Sequence, residues 1–114
     1  MSNVVDALLA AKDLLIDGWI RGTSHSVRKS KGEMRDYYCI TGALVKVAAN
    51  SAATQSLFHA ALRKRGAHDD VANLDTSLIR FNDKPGNYAA RKQEILDLMD
   101  EVIVLAKEQQ DSIA

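Results

Sequence analysis

Apolar residues at the start of the chain recur at steps of three and four: Val4, Ala7, Leu8, Ala11, Leu14 and Leu15. This spacing gathers them into one stripe and predicts a helix over residues 3–18, capped by Ser2 or Asn3 and ended by Gly18. A second stripe, Ile40, Ala43, Leu44 and Val47, predicts a helix over 37–49. A third, Leu57, Phe58, Ala61 and Leu62, predicts one over 54–65, with Arg63, Lys64 and Arg65 complementing its C-terminal dipole and Gly66 stopping it. Asp69 or Asp70 can cap a shorter helical piece that runs through Leu74, Leu78, Ile79 and Phe81 to Asp83. Lys84, Pro85, Gly86 and Asn87 form the strongest turn signal in the chain. The last helix, over 88–109, is the cleanest, with Ile95, Leu98, Met99, Val102, Ile103 and Ala106 on one side and Val104 alone on the wrong face.

No segment alternates apolar and polar residues for more than a few positions, so strands are not expected. The expected fold is all-α, a compact bundle of four to five helices in orthogonal packing, forming one domain over residues 1–114. Segment 22–36 breaks this pattern. Thr23, Ser24, Ser26, Ser30 and Gly32 weaken helix there, and Arg28, Lys29, Lys31 and Arg35 outnumber Glu33 and Asp36. It reads as a basic, flexible connection, and connections of that length are commonly functional or disordered.

Composition narrows the function classes. Apolar residues make up 46% and charged residues 26% of the 114, the balance of an ordinary globular domain. Fifteen Lys and Arg offset fifteen Asp and Glu, so no overall field draws the chain to nucleic acid or an anionic membrane. The single cysteine, Cys39, cannot form an internal disulfide, which favours a reducing compartment, the cytoplasm being the simplest. A leader is not expected, because Asp6, Lys12 and Asp13 interrupt the apolar start. No apolar run approaches the ~20 residues needed to cross a bilayer.

Candidate chemistry is sparse. Cys39 is the alternative catalytic residue if a histidine (His25, His59 or His68) and an acid (Asp36 or Asp83) gather round it, although a cysteine followed by an apolar stripe commonly serves as a small buried hydrophobe. His59, His68, Asp69 and Asp70 fit a metal site only loosely, so no metal and no cofactor is assigned. Glycine-rich phosphate loops are missing. Arg63 to Arg65 before Gly66 faintly suggest a helix-turn-helix, but Asp69, Asp70, Asp75 and Asp83 on the following piece would repel phosphate and disfavour nucleic acid.

Three short motifs have a familiar order: Gly18, Trp19 and Gly22; Cys39, Thr41, Gly42 and Ala43; and Ile79, Arg80, Phe81, Asn82 and Asp83, followed by Pro85 and Gly86. In this the chain resembles a family of small bacterial and phage proteins known only as a domain of unknown function, with a Trp near Gly, a Cys-x-x-Gly-Ala helix and a Trp-Asn-Asp turn. Phe81 stands where that family usually has Trp, and Asn87 where Arg is common. The resemblance spans about residues 7–106 and implies a helical fold and a phage or mobile-element context, with no activity attached.

The expectation is therefore a non-enzymatic binding protein of phage or mobile-element origin that docks on a host protein or sequesters a small ligand. Its candidate binding residues are Trp19, Arg28, Lys29, Lys31, Arg35, Asn82 and Asp83. Trp19 is expected to anchor the core through a bonded indole N–H, and Asn82 and Asp83 to close a helix end. Gly42, flanked by Cys39 and Ala43, is expected where another helix crosses closely. Leu96, Val104 and Leu105 are expected to form a homodimer patch, with Glu101 and Glu108 at its rim facing the partner's Arg91 or Lys92.

Overall fold

The computed structural model describes residues 4–49, 51–66 and 74–113. In chain order the elements are α1 (Val4–Asp17), β1 (His25–Ser30), β2 (Glu33–Tyr38), α2 (Ile40–Lys46), α3 (Ala52–Lys64), α4 (Leu74–Asp83) and α5 (Tyr88–Ile113). The fold is mostly helical, but the all-α expectation is corrected by an antiparallel hairpin in the segment expected to be a flexible connection. The strands pair in continuous register from His25 opposite Tyr38 to Ser30 opposite Glu33. Lys31 (φ 51°) and Gly32 (φ 82°) form the two-residue turn between them, both in the left-handed region that such tight hairpin turns require.

The helical stripes are buried much as their spacing predicts. Leu8, Ala11 and Leu15 of α1 meet Ile40, Ala43 and Leu44 of α2, Leu57, Phe58, Ala61 and Leu62 of α3, Leu78 of α4 and the 95–106 stripe of α5 in one core. The long α5 is the spine, packed by α1 and α3, while α2 bridges α1 and α4. Ile79, expected inward, is 47% exposed.

Side-chain caps start three of the helices. The Cys39 sulfur accepts from Gly42 N (3.3 Å) and starts α2; Ser51 Oγ accepts from Thr54 N (3.3 Å) and starts α3; Asn87 Oδ1 accepts from Ala90 N (3.1 Å) at the start of α5. The helix α2 ends earlier than predicted. Ala48 takes φ 56°, and Ala49 N and Ala48 N turn back to Leu44 O (2.8 Å) and Val45 O (3.1 Å), the paired bonds that close a helix through a left-handed residue. The predicted caps Ser2, Asn3, Asp69 and Asp70 lie outside the described residues, as do His68 and the metal grouping drawn through it. Among the described residues no helix is long and apolar enough to cross a membrane.

Candidate functional site

The residues after α1 run alongside β2. Tyr38 N donates to Gly18 O (2.9 Å) and Ile20 N to Tyr38 O (3.1 Å), so Trp19 forms an isolated parallel bridge to Tyr38 at the base of the hairpin. This close pairing needs Gly18, because a Cβ there would come within 2.5 Å of Asp36 O. Trp19, 1% exposed, is thereby driven into the core.

A polar knot forms around it. Trp19 Nε1 donates to Asn82 Oδ1 (2.7 Å), and Ile40 N donates to the same oxygen (3.2 Å). Asn82 Nδ2 in turn donates to Ile20 O (3.0 Å) and to Asp83 Oδ1 (2.9 Å), which also accepts from Gly22 N (2.9 Å). The Tyr88 hydroxyl donates to Trp19 O (2.6 Å), and its ring centroid lies 5.1 Å from that of Trp19. The structure thus brings Trp19, Asn82 and Asp83 together, with the first two in the interior as fastenings between α4, α2 and the hairpin base. The Tyr88 hydroxyl is pushed above the usual phenol value, chiefly by burial and secondarily by Tyr37. A raised value favours the neutral phenol in the fold. Its contribution to stability is therefore complete below about pH 10 and is lost as pH rises through the folded value. Denaturant melts above pH 10 should fall less steeply for Tyr88→Phe than for wild type; equal slopes would show that Tyr88 is not the titrating group.

Arg91, expected to face a partner's acidic rim, makes its bonds within its own chain. It is 4% exposed, its guanidinium bonds Phe81 O, Lys84 O (3.3 Å) and Glu94, and it lies 5.1 Å over the Phe81 ring. Lys92 likewise bonds its own chain, its Nζ donating to Ile16 O (2.7 Å) at the surface. Glu101 pairs with Arg65 and with Lys64 (3.2 Å), tying the basic end of α3 to α5. Leu96 and Leu105 pack against the core, which leaves Val104, 52% exposed, as the open member of the expected patch. An unpaired carboxylate or a proline-glycine turn nearby does not reveal in sequence which cation will fold back onto it.

The hairpin carries Arg28, Lys29, Lys31 and Arg35, all exposed. Alternation along the strands places His25, Val27, Lys29, Met34, Asp36 and Tyr38 on one face and Ser26, Arg28, Glu33, Arg35 and Tyr37 on the other. Arg28 stands directly opposite Arg35. On the first face His25 Nε2 donates to Asp36 Oδ1 (2.8 Å), and its ring stacks 4.8 Å from that of Tyr38. The histidine and acid of the catalytic alternative are thus joined, but Cys39 is not part of the arrangement. Cys39 continues the ladder with its N–H on Ser24 O (3.1 Å) in extended backbone, so its side chain leaves the ladder on the face opposite Tyr38 and the His25 ring. There it is buried and occupied in capping α2.

Behind the hairpin base lies a cavity of about 170 Å³ lined by Gly22, Ser24, Cys39, Thr41, Ile79 and Asp83 among others. A shallower one of about 330 Å³, lined by His25, Tyr38, Gly42 and Val45, shares Ser24 and Thr41 with it.

Neither the curated proteins nor the solved structures compared with the chain gave a match. A family model does, over residues 1–105, taking in the Trp19 segment, the Cys39 to Ala43 helix start and the Asn82–Asp83 helix end: the chain belongs to the family of unknown function DUF6197.

Proposed function

We propose that the protein is a non-enzymatic binding protein, of phage or mobile-element descent, that works in the cytoplasm by docking its hairpin on an acidic surface of a host protein. The observation that carries this reading is where the positive charge sits. Arg28 faces Arg35 across the ladder, a like-charge pairing that costs on the order of 0.2–1 kcal/mol. Lys31 occupies a left-handed turn position that asparagine or glycine would fill with less strain, at a cost of ~1–2 kcal/mol. Both features work against the hairpin's own stability, and both concentrate cations on its exposed part. Val27 and Met34, 49% and 67% exposed, add apolar area beside them. A protein surface that supplies carboxylates with some apolar area relieves the repulsion and covers these side chains together. The burial of Cys39 weighs against the enzymatic alternative.

The test uses a labelled poly-L-glutamate probe and a duplex DNA probe in anisotropy titrations at low and physiological salt. Wild type should bind poly-glutamate, more weakly as salt rises. The Arg28→Ser/Arg35→Ser variant should bind at least tenfold more weakly while melting no lower than wild type. Equal binding by the variant, or no binding at low salt, would reject the hairpin as the docking element. Tighter binding to the duplex than to poly-glutamate would move the reading to nucleic acid.

A further inference from the structure

The two edges of the hairpin differ in what they leave open. Cys39 N donates to Ser24 O (3.1 Å), which makes Ser24–Cys39 a bonded pair, and in an antiparallel ladder bonded pairs alternate with pairs whose N–H and C=O point outward. By the register, Ser26–Tyr37, Arg28–Arg35 and Ser30–Glu33 are then bonded across the hairpin, and His25–Tyr38, Val27–Asp36 and Lys29–Met34 turn their main-chain groups away from it. Tyr38 shows this phase directly, since its N–H donates outward to Gly18 O and its C=O accepts from Ile20 N. On the β1 side, His25 O accepts from the Thr23 hydroxyl (3.3 Å). Among the described residues, the outward N–H and C=O of Val27 and Lys29 have no partner.

The β1 edge lacks most of the devices that close an edge against strangers. Its register runs without a bulge, it holds no proline, and the helices that support the hairpin, α1 and α2, pack on β2. The opposite edge is taken at its base by the bridge from Trp19 to Tyr38, with Gly18 lying against Asp36 O.

We infer that β1 receives an extended acidic segment of the partner as a third strand, paired main chain to main chain at Val27 and Lys29. This rests on the docking reading above and specifies its mode. In such strand addition the backbone supplies affinity and the side chains choose the occupant. The strand β1 carries Arg28 and Lys29 with Lys31 in the turn beyond, and no acid; Glu33 and Asp36 lie on β2. Side chains alternate, so Lys29 projects on the face of the half-exposed Val27 and Arg28 on the other. A strand with carboxylates at adjacent positions therefore meets a cation on either face. A second copy of β1 would set cations against cations, which is how lysine on an edge discourages self-pairing.

The probe is the peptide acetyl-Thr-Glu-Glu-Val-Glu-Glu-Thr-amide, titrated into ¹⁵N-labelled protein. Its counterpart has the same charge but is N-methylated at the central residues, so it cannot add as a strand. Wild type should bind the parent peptide with a dissociation constant below about 1 mM and the counterpart at least tenfold more weakly. On saturation the amide protons of Val27 and Lys29 should move downfield by more than those of Ser26 and Arg28, which already bond to β2. Val27→Pro, a change tolerated where the N–H faces solvent, should melt close to wild type and bind the parent peptide at least tenfold more weakly. Equal binding of the two peptides with no alternation in the shifts, while poly-glutamate still binds, would overturn the added strand and leave the docking hairpin standing. No binding of poly-glutamate or of either peptide would remove both. A dimer seen in sedimentation without peptide and dissociated by Val27→Pro would give the edge to a second copy and overturn the acidic occupant.

Discussion

Asn82→Ala is expected to lower the melting temperature by on the order of 15 °C, the largest effect of any single side-chain truncation proposed for this chain. The side chain is 1% exposed and serves four partners at once: Trp19 Nε1, Ile40 N, Ile20 O and Asp83 Oδ1. Truncation leaves the first three orphaned in the interior, and each orphaned buried group costs ~1–3 kcal/mol. Because the groups share one site their costs do not add fully, and a total loss of ~3–5 kcal/mol is a large part of the 5–15 kcal/mol typical of a folded domain. The cavity left by the amide adds to it, as no neighbouring backbone can move in while the hairpin base is paired to β2. A thermal melt followed by circular dichroism decides the matter. A drop of less than about 5 °C would show that water or a rearranged Trp19 satisfies these groups.

The same knot explains why the helices were legible in the sequence and the hairpin was not. The helices announce themselves because 3.6-residue periodicity is written into Leu8, Ala11 and Leu15, or Leu98, Val102 and Ala106, and burial follows the stripe directly. The strands carry no such signal. His25–Ser30 contains one β-branched residue, Val27, and the turn uses Lys-Gly rather than the Asn-Gly or Asp-Gly that marks tight hairpins. What holds these strands is tertiary: Trp19 buried beneath, its bridge to Tyr38, and Tyr38 inserted in the core. The cluster Val27, Met34, Tyr37 and Tyr38 around Lys31-Gly32 was the signal available. The motif residues were legible as a group but not in their role. Trp19, Asn82 and Asp83 read equally well as ligand contacts or fastenings, and only their mutual distances separate the two.

Gly42→Ala is the second large effect, and its sign runs against helix propensity. In the middle of a helix alanine is worth about 1 kcal/mol more than glycine, so a free α2 would be stabilised. Here the added methyl would stand 2.0 Å from Ser24 O and 2.9 Å from Ser24 C, both backbone atoms of the segment leading into β1. The close approach expected at Gly42 is therefore present, but the crossing partner is this segment rather than another helix. Its position is fixed, because Ser24 O also accepts Cys39 N at the start of α2, and the same residue is paired into the hairpin base one step before His25. Overpacking of this kind costs ~1–3 kcal/mol, at the upper end where backbone rather than a flexible side chain must yield. The net expectation is a loss of about 1–2 kcal/mol for alanine and more for Gly42→Leu. A Gly42→Ala protein melting at or above the wild-type temperature would mean that the 22–24 segment moves aside freely.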